Sequence, residues 1–256
     1  MHLRRLVAVL CALTAALAVG VAAAPSSGAI ARGVAATPGQ FPWAAQLRLD
    51  DIRRADGTVY DSACSGVLIS RTWVMTAGHC FHDGNRNRVS GVPRYAATVR
   101  LGTVDTTDPA AGVARRVTWV QQSPSNDIAV ARLDAPVDGI APVALRTTAP
   151  RKGQVLSVAG WGATISGGTW SDRLQWGQVT VGSVKATTLL VRGAWPYPDT
   201  SACSYDSGAP YVTTGTTPLL VSIESTGPAC PHSSLETTAR VDVVARWVRS
   251  TVTDLP

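Results

Sequence analysis

Short apolar runs separated by turn residues dominate the chain. Residues 44–49, 66–69, 97–101, 128–133, 155–159, 188–191 and 219–223 are such runs, rich in Val, Thr, Ala and Leu. Spacing of this kind predicts many short strands in a sandwich or barrel. One helix is predicted, close to the C-terminus. There Val241, Val244, Ala245 and Val248 fall at i, i+3, i+4 and i+7 and form a single apolar stripe. No internal repeat and no long linker interrupts the pattern. The proline-bounded stretch 136–142 is the best candidate for a boundary between two halves.

The first residues follow a different pattern. Arg4 and Arg5 precede an apolar stretch over 6–21, and small residues continue to Ala29. This order predicts a secretory signal peptide over 1–29 and a secreted, extracellular protein without a stable membrane anchor. The alternative is an anchor, since the stretch is nearly long enough to span a bilayer. Ser27-Gly28-Ala29 offers a small-residue cleavage site that would expose Ile30; a cut after Ala23 would leave six further residues.

Composition narrows the class. With 45% hydrophobic and 16% charged residues among 256, the chain has the makings of a packed core and not of a disordered segment. Its 23 basic and 17 acidic residues give a formal charge of +6, which falls to +4 when Arg4 and Arg5 leave with the leader. The cations are scattered, so no nucleic-acid groove is expected. Of five cysteines, Cys11 lies in the leader. The remaining four, Cys64, Cys80, Cys203 and Cys230, imply disulfides in a secreted chain, with three possible pairings. No His/Cys/Asp cluster has metal-ligand spacing and no phosphate loop is present, so no metal and no organic cofactor are expected. Only the acidic turn 105–108 could loosely hold calcium.

Three segments carry candidate chemistry: Thr76-Ala77-Gly78-His79-Cys80, Asn126-Asp127-Ile128-Ala129-Val130 and Cys203-Ser204-Tyr205-Asp206-Ser207-Gly208-Ala209-Pro210. Each alone is weak. In the order His, Asp, Ser they match what acyl transfer needs: a hydroxyl nucleophile, a base to activate it, and a carboxylate to hold the base's tautomer. With these segments, Ile30-Ala31-Arg32-Gly33, Gly39-Gln40-Phe41-Pro42-Trp43, Cys64-Ser65-Gly66-Val67-Leu68-Ile69-Ser70, Arg100-Leu101-Gly102 and Ala159-Gly160-Trp161-Gly162 make the chain resemble a trypsin/chymotrypsin-like serine protease of the secreted bacterial sort.

The resemblance implies an all-β fold of two six-stranded antiparallel β-barrels with a C-terminal helix. It implies an N-terminal barrel over 30–138 with His79 and Asp127, and a C-terminal barrel over 139–256 with the nucleophile loop. His79 would be the general base, Asp127 its orienting carboxylate and Ser207 the nucleophile. The N–H groups of Tyr205 and Ser207 would form the oxyanion hole. Asp206 would receive the N-terminal ammonium of Ile30. The implied disulfides are Cys64–Cys80 and Cys203–Cys230. Protein or peptide substrates are the implied partners, with protein inhibitors besides, and the protein is expected to be a monomer.

Several positions depart from the family's pattern. Tyr205 stands where the oxyanion-hole glycine is usual, Arg32 replaces a glycine near Ile30, and Thr226 replaces a tryptophan. The expected pocket residues are Ser201 at the floor, then Glu224, Ser225, Thr226, Gly227 and Glu236, with Gly227 leaving room at the mouth. A neutral Ser201 favours large apolar P1 side chains; either glutamate could instead favour a basic one. The competing expectation is a non-catalytic binding protein of the same fold, motivated by Tyr205, and a third is an esterase.

Overall fold

The computed structural model describes residues 29–256. The expected leader, with Cys11, lies outside the described residues except for Ala29.

The first half builds one barrel. Its strands are β2 (Ala44–Arg53), β3 (Val59–Ser70), β4 (Trp73–Ala77), β5 (Ala96–Leu101), β6 (Val113–Gln122) and β7 (Ile128–Leu133). They pair antiparallel in the order β2-β3-β4-β7-β6-β5, and β5 returns to β2 to close the ring. The second half builds another, from β9 (Val155–Gly160), β10 (Gln175–Val184), β11 (Thr188–Trp195), β12 (Pro210–Thr213), β13 (Leu219–Thr226) and β14 (Glu236–Arg240). These run β10-β11-β14-β13-β12-β9, closed by the β9–β10 pairing. Two short strands flank it: β1 (Val34–Ala35) against β10, and β8 (Ala144–Leu145), parallel to β13. The fold is therefore two closed six-stranded antiparallel barrels, as expected.

Each of the seven short apolar runs from 44–49 to 219–223 lies in a strand. The strands without such a run are informative. In β10, Gln175, Gly177, Val179 and Val181 face inward while their neighbours are half-exposed, so alternation carries the signal. In β6, Arg115 and Arg116 break the apolar character, and only Val117 and Val120 are buried. The expected helix is α1 (Ala245–Thr251), shorter than its apolar stripe; Val241, Val244, Ala245 and Val248 are all buried.

Closing two barrels removes free sheet edges and leaves loops to meet in the groove between them. The barrels are joined there by specific bonds. Ser65 N–H on β3 donates to the carbonyl of Ser207 at 2.8 Å, and Trp161 N–H donates to Ser65 Oγ at 2.9 Å. Asn126, just before β7, donates through Nδ2 to the carbonyl of Arg240 at 2.9 Å.

Candidate active site

His79 sits in a single 3-10 turn, Gly78–Cys80, at the end of β4. The Cys64–Cys80 disulfide ties this turn to β3, with a Cα–Cα distance of 6.5 Å. Asp127 ends the short connection between β6 and β7; because β6 continues to Gln122, only 123–127 remain as loop. Ser207 lies on the loop before β12, held by the Cys203–Cys230 disulfide on one side and by Ser65 on the other. Gly208 follows with φ 89°, and a Cβ there would lie 2.1 Å from the Ser65 carbonyl. Only glycine permits that approach.

Three loops thus bring three side chains into line. His79 Nε2 is 2.8 Å from Ser207 Oγ, and His79 Nδ1 is 2.7 Å from Asp127 Oδ2. Asp127 also accepts the His79 backbone N–H at 2.9 Å and the Ser225 hydroxyl at 2.7 Å. Burial pushes the Asp127 carboxyl up, but the bonds and charge of His79 and the Ser225 bond outweigh it, and its pKa lies below the ordinary value. Arg88 contributes a cation that the sequence pattern did not reveal. Its Nη1 donates to the Asn126 carbonyl at 2.7 Å and lies 3.6 Å from Asp127 Oδ1. It sits in a polar run with no periodicity, so no sequence signal could have singled it out.

Tyr205 adopts φ 72°, in the left-handed region. Its position therefore has the glycine conformation, although it carries a side chain. Among the described residues, neither the Tyr205 nor the Ser207 N–H donates to a protein acceptor. The Tyr205 ring packs edge-on against Trp170 at 5.4 Å, and Arg48 lies over that indole at 3.8 Å. Together with Ile52, Tyr60, His82 and Arg86, Tyr205 lines a cleft of about 480 Å³ on one side of Ser207.

Asp206 points away from the groove. It is fully buried, and Ile30 N–H donates to its Oδ2 at 3.3 Å. Gly162 N–H reaches Oδ1 at 2.8 Å and Cys203 N–H reaches Oδ2 at 3.0 Å. A Cβ on Gly160 would be 2.1 Å from Asp206 Oδ1, which explains a glycine there. Burial raises the Asp206 carboxyl to about 7, against the pull of its three N–H donors and with the help of Glu236's charge. Arg32 does not obstruct this docking. It has φ 61°, a glycine-like conformation, and its side chain is exposed, paired with Asp199 at 3.3 Å and lying over the Tyr197 ring.

On the other side of Ser207 is a cavity of about 380 Å³, lined by Glu224, Ser225, Thr226, Gly227 and the Cys203–Cys230 disulfide among others. Ser201 and Glu236 lie behind that lining rather than on it, each 1% exposed. Ser201, the expected floor, is held at the barrel side of that lining: its N–H donates to the Ala31 carbonyl and its Oγ accepts the His232 N–H. A Cβ on Gly227 would meet Glu236 Cβ at 3.1 Å and His232 Nε2 at 3.4 Å, so a glycine fits there without displacing either residue. Neither glutamate is turned out to solvent; both bond to the hydroxyl of Tyr211, a residue hidden to sequence reading inside an apolar strand.

Asp105 in the acidic turn is engaged by Arg173 Nη2 at 2.9 Å and by the hydroxyl of Thr107. Among the described residues, no group of three His, Cys, Asp or Glu side chains could hold a metal ion, and no helix is long and apolar enough to cross a membrane.

Comparison with known proteins agrees with this geometry. The sequence profile of the family described as Trypsin matches residues 30–248. Trypsin alpha-4 of Lucilia cuprina is 29% identical, over 96% of this chain and 95% of its own. Serine protease SP24D of Anopheles gambiae is 28% identical, over 87% of this chain and 81% of its own. Among solved structures, neuropsin, a serine protease of mouse brain, superposes with a TM-score of 0.68 at 23% identity, over 87% of this chain and 99% of that one. These relatives are animal proteins, so they support the family and not the bacterial subtype that the sequence suggested. A profile spanning most of the chain, over a fold that closes both barrels, is decisive: the chain belongs to the trypsin family and is a serine endopeptidase.

Proposed function

We propose that this endopeptidase cleaves peptide bonds through Ser207, His79 and Asp127 by way of an acyl-enzyme. The observation that carries the reading is the continuous line of contacts from Ser207 Oγ to His79 Nε2 at 2.8 Å and from His79 Nδ1 to Asp127 Oδ2 at 2.7 Å. In this reading His79 accepts the Ser207 hydroxyl proton as Oγ attacks the carbonyl carbon. The oxyanion is received by the N–H groups of Tyr205 and Ser207. The leaving amine then departs with the proton from His79. A water activated by the same imidazole hydrolyses the ester and regenerates Ser207. Asp127 holds the imidazole in the tautomer that leaves Nε2 free to accept, and Ser225 and Arg88 position Asp127.

The N-terminal lobe in this reading is 30–138 and the C-terminal lobe 139–256. Residues 1–29 are a leader cut after Ala29, and the mature, monomeric, secreted enzyme begins at Ile30. The Ile30 nitrogen, 3.3 Å from Asp206 Oδ2 in a buried setting, supports that start. Protein substrates bind with a large apolar or basic P1 residue in the cavity bounded by Glu224, Ser225, Thr226 and Gly227. Tyr205 restricts what fits on the leaving-group side, including protein inhibitors.

A second reading is favoured by one observation, the side chain at Tyr205 with φ 72°. If that peptide turned over, one oxyanion donor would be lost, worth about 10²–10³ in rate, and the protein would bind rather than cleave. Labelling of the secreted protein with a fluorophosphonate, beside Ser207→Ala, decides between them. Labelling that disappears in the variant supports the protease. Folded protein that starts at Ile30 and takes no label overturns it in favour of the binding protein.

A further inference from the structure

Behind the proposed P1 cavity, three strands bring three ionisable side chains together. Tyr211 on β12 has its hydroxyl 2.8 Å from Glu224 Oε2 on β13 and 2.9 Å from Glu236 Oε1 on β14. All three are buried: Tyr211 is 0% exposed, Glu224 3% and Glu236 1%. A phenol has one proton to donate. With both carboxylates ionised, one of these two contacts would set oxygen lone pairs against each other with no hydrogen between them. One carboxyl must therefore carry a proton and donate it to the phenol oxygen, while the phenol donates to the other.

Glu236 is the better anion of the two at rest. Its Oε2 also accepts the Ala202 N–H at 3.1 Å. Glu224 lines the cavity, which makes it the carboxyl of the pair with a route for its proton to water. Moving two protons in concert through the phenol exchanges the charge between the carboxyls, and no group has to leave.

We propose that Tyr211, Glu224 and Glu236 form one proton-sharing unit whose charge decides whether the enzyme accepts a cationic or a neutral P1 side chain. The proposal rests on the protease reading above and deepens it. It assigns specificity to a unit that reaches the cavity through Glu224, not to the neutral Ser201. When the unit is neutral, a lysine or arginine side chain would be desolvated without a counter-charge, which is unfavourable. When the unit has lost one proton to water through Glu224, it offers one buried negative charge opposite the incoming cation.

The direction with pH follows from burial. Burial raises the Glu236 carboxyl to about 7, and burial together with Glu236's charge raises Glu224 well above the usual range. Acid therefore keeps the unit neutral, and raising the pH through 7 charges it. Other groups face it. His232 Nε2 is 3.6 Å from Glu236 Oε2, and burial lowers its pKa. Asp206 and Asp127 act on Glu224 through space. On β11, Val191 opposes Glu236 and brings no charge. The Ile30 amine joins Asp206 once the leader is removed.

The test compares matched peptides with arginine or leucine at P1, using enzyme quantified by fluorophosphonate labelling, from pH 5.5 to 8.5. Taking the ratio of the two kcat/KM values cancels any pH dependence of the steps and of the Ile30–Asp206 pair that both substrates share. The arginine-to-leucine ratio should rise at least tenfold across this range, and Glu236→Gln and Tyr211→Phe should flatten the rise or move its midpoint. His232→Gln should leave the rise in place. A ratio constant with pH, in enzyme that labels and cleaves, overturns the proposal and leaves the protease standing. A rise abolished by His232→Gln but kept in Glu236→Gln overturns it in favour of the imidazole. Enzyme that neither labels nor cleaves overturns the protease reading, and the proposal with it. The wild-type ratio decides the matter if the variants do not fold.

Discussion

Ile30 N–H lies 3.3 Å from the Asp206 carboxylate, across 176 residues of sequence and inside the core of the second barrel. In the uncut chain that N–H is an amide, and the Asp206 carboxyl, raised to about 7, is left without a cation. Between the unfolded value of 3.8 and about 7, the native state binds more protons than the unfolded state. Stability must fall as the pH rises through that interval, by something on the order of 4 kcal/mol. In a chain that begins at Ile30 the ammonium supplies the counter-charge and lowers the Asp206 pKa. Its own pKa is raised in return, so that form loses stability only in alkali. Thermal melts of Ser207→Ala protein, with and without an extension before Ile30, at pH 4, 5.5, 7 and 9 should show this difference. Parallel profiles would refute the pairing.

Tyr205 at φ 72° predicts an order of stabilities. A side chain in left-handed backbone costs roughly 1–2 kcal/mol relative to glycine. The Trp170 contact returns about 0.5–1.5 kcal/mol. Tyr205→Gly loses both the strain and the contact and should melt close to the parent. Tyr205→Ala keeps the strain and loses the contact, and should be the least stable of the three by about 1 kcal/mol. The glycine variant should also cleave substrates with bulky leaving-group residues faster, because the ring no longer lines that cleft. An alanine variant as stable as the glycine one would show that the position does not require left-handed backbone.

The ease with which the sequence discloses this molecule varies with distance along the chain. The apolar runs and the stripe Val241, Val244, Ala245 and Val248 are local, so the strands and the helix that contain them are legible. β6 is less so, because Arg115 and Arg116 leave only Val117 and Val120 facing inward. His79, Asp127 and Ser207 stand out because the proposed acyl transfer needs those residue types and each has a short, distinctive context. Ser201 behind the cavity lining, Arg88 beside Asp127 and Tyr211 between two glutamates depend on contacts across strands. No local pattern marks them.

Asn126 links the barrels at the site itself. Its Nδ2 donates to the Arg240 carbonyl at 2.9 Å and its Oδ1 accepts from Ser123 at 2.9 Å, both in a buried setting. Asn126→Ala leaves the Arg240 carbonyl without that donor. Stability should fall by about 1–3 kcal/mol. Because Asp127 is the next residue, kcat should fall more than KM rises. Lost stability with unchanged kcat would show that the bridge holds the barrels together without positioning the carboxylate.

The two disulfides should differ in what they protect. Cys64–Cys80 closes 16 residues and Cys203–Cys230 closes 27, so chain entropy assigns each about 3 kcal/mol. Replacing either pair by alanines should lower Tm by about 6–12 °C for a chain of this size. The consequences for the site diverge. Cys80 ends the turn that carries His79, yet that turn keeps the Gln122 side chain on the Gly78 carbonyl at 2.8 Å and the Asp127 carboxylate on the His79 N–H at 2.9 Å. Cys203 begins the loop that carries Tyr205 and Ser207, and Cys230 lines the cavity proposed to take P1. Removing Cys203–Cys230 should therefore raise KM as well as lower Tm. Removing Cys64–Cys80 should lower Tm while KM stays near the parent value. Titrating active sites at 15 °C, where both variants are folded, separates the two effects. Equal KM values in the two variants would show that the cavity wall does not depend on its disulfide.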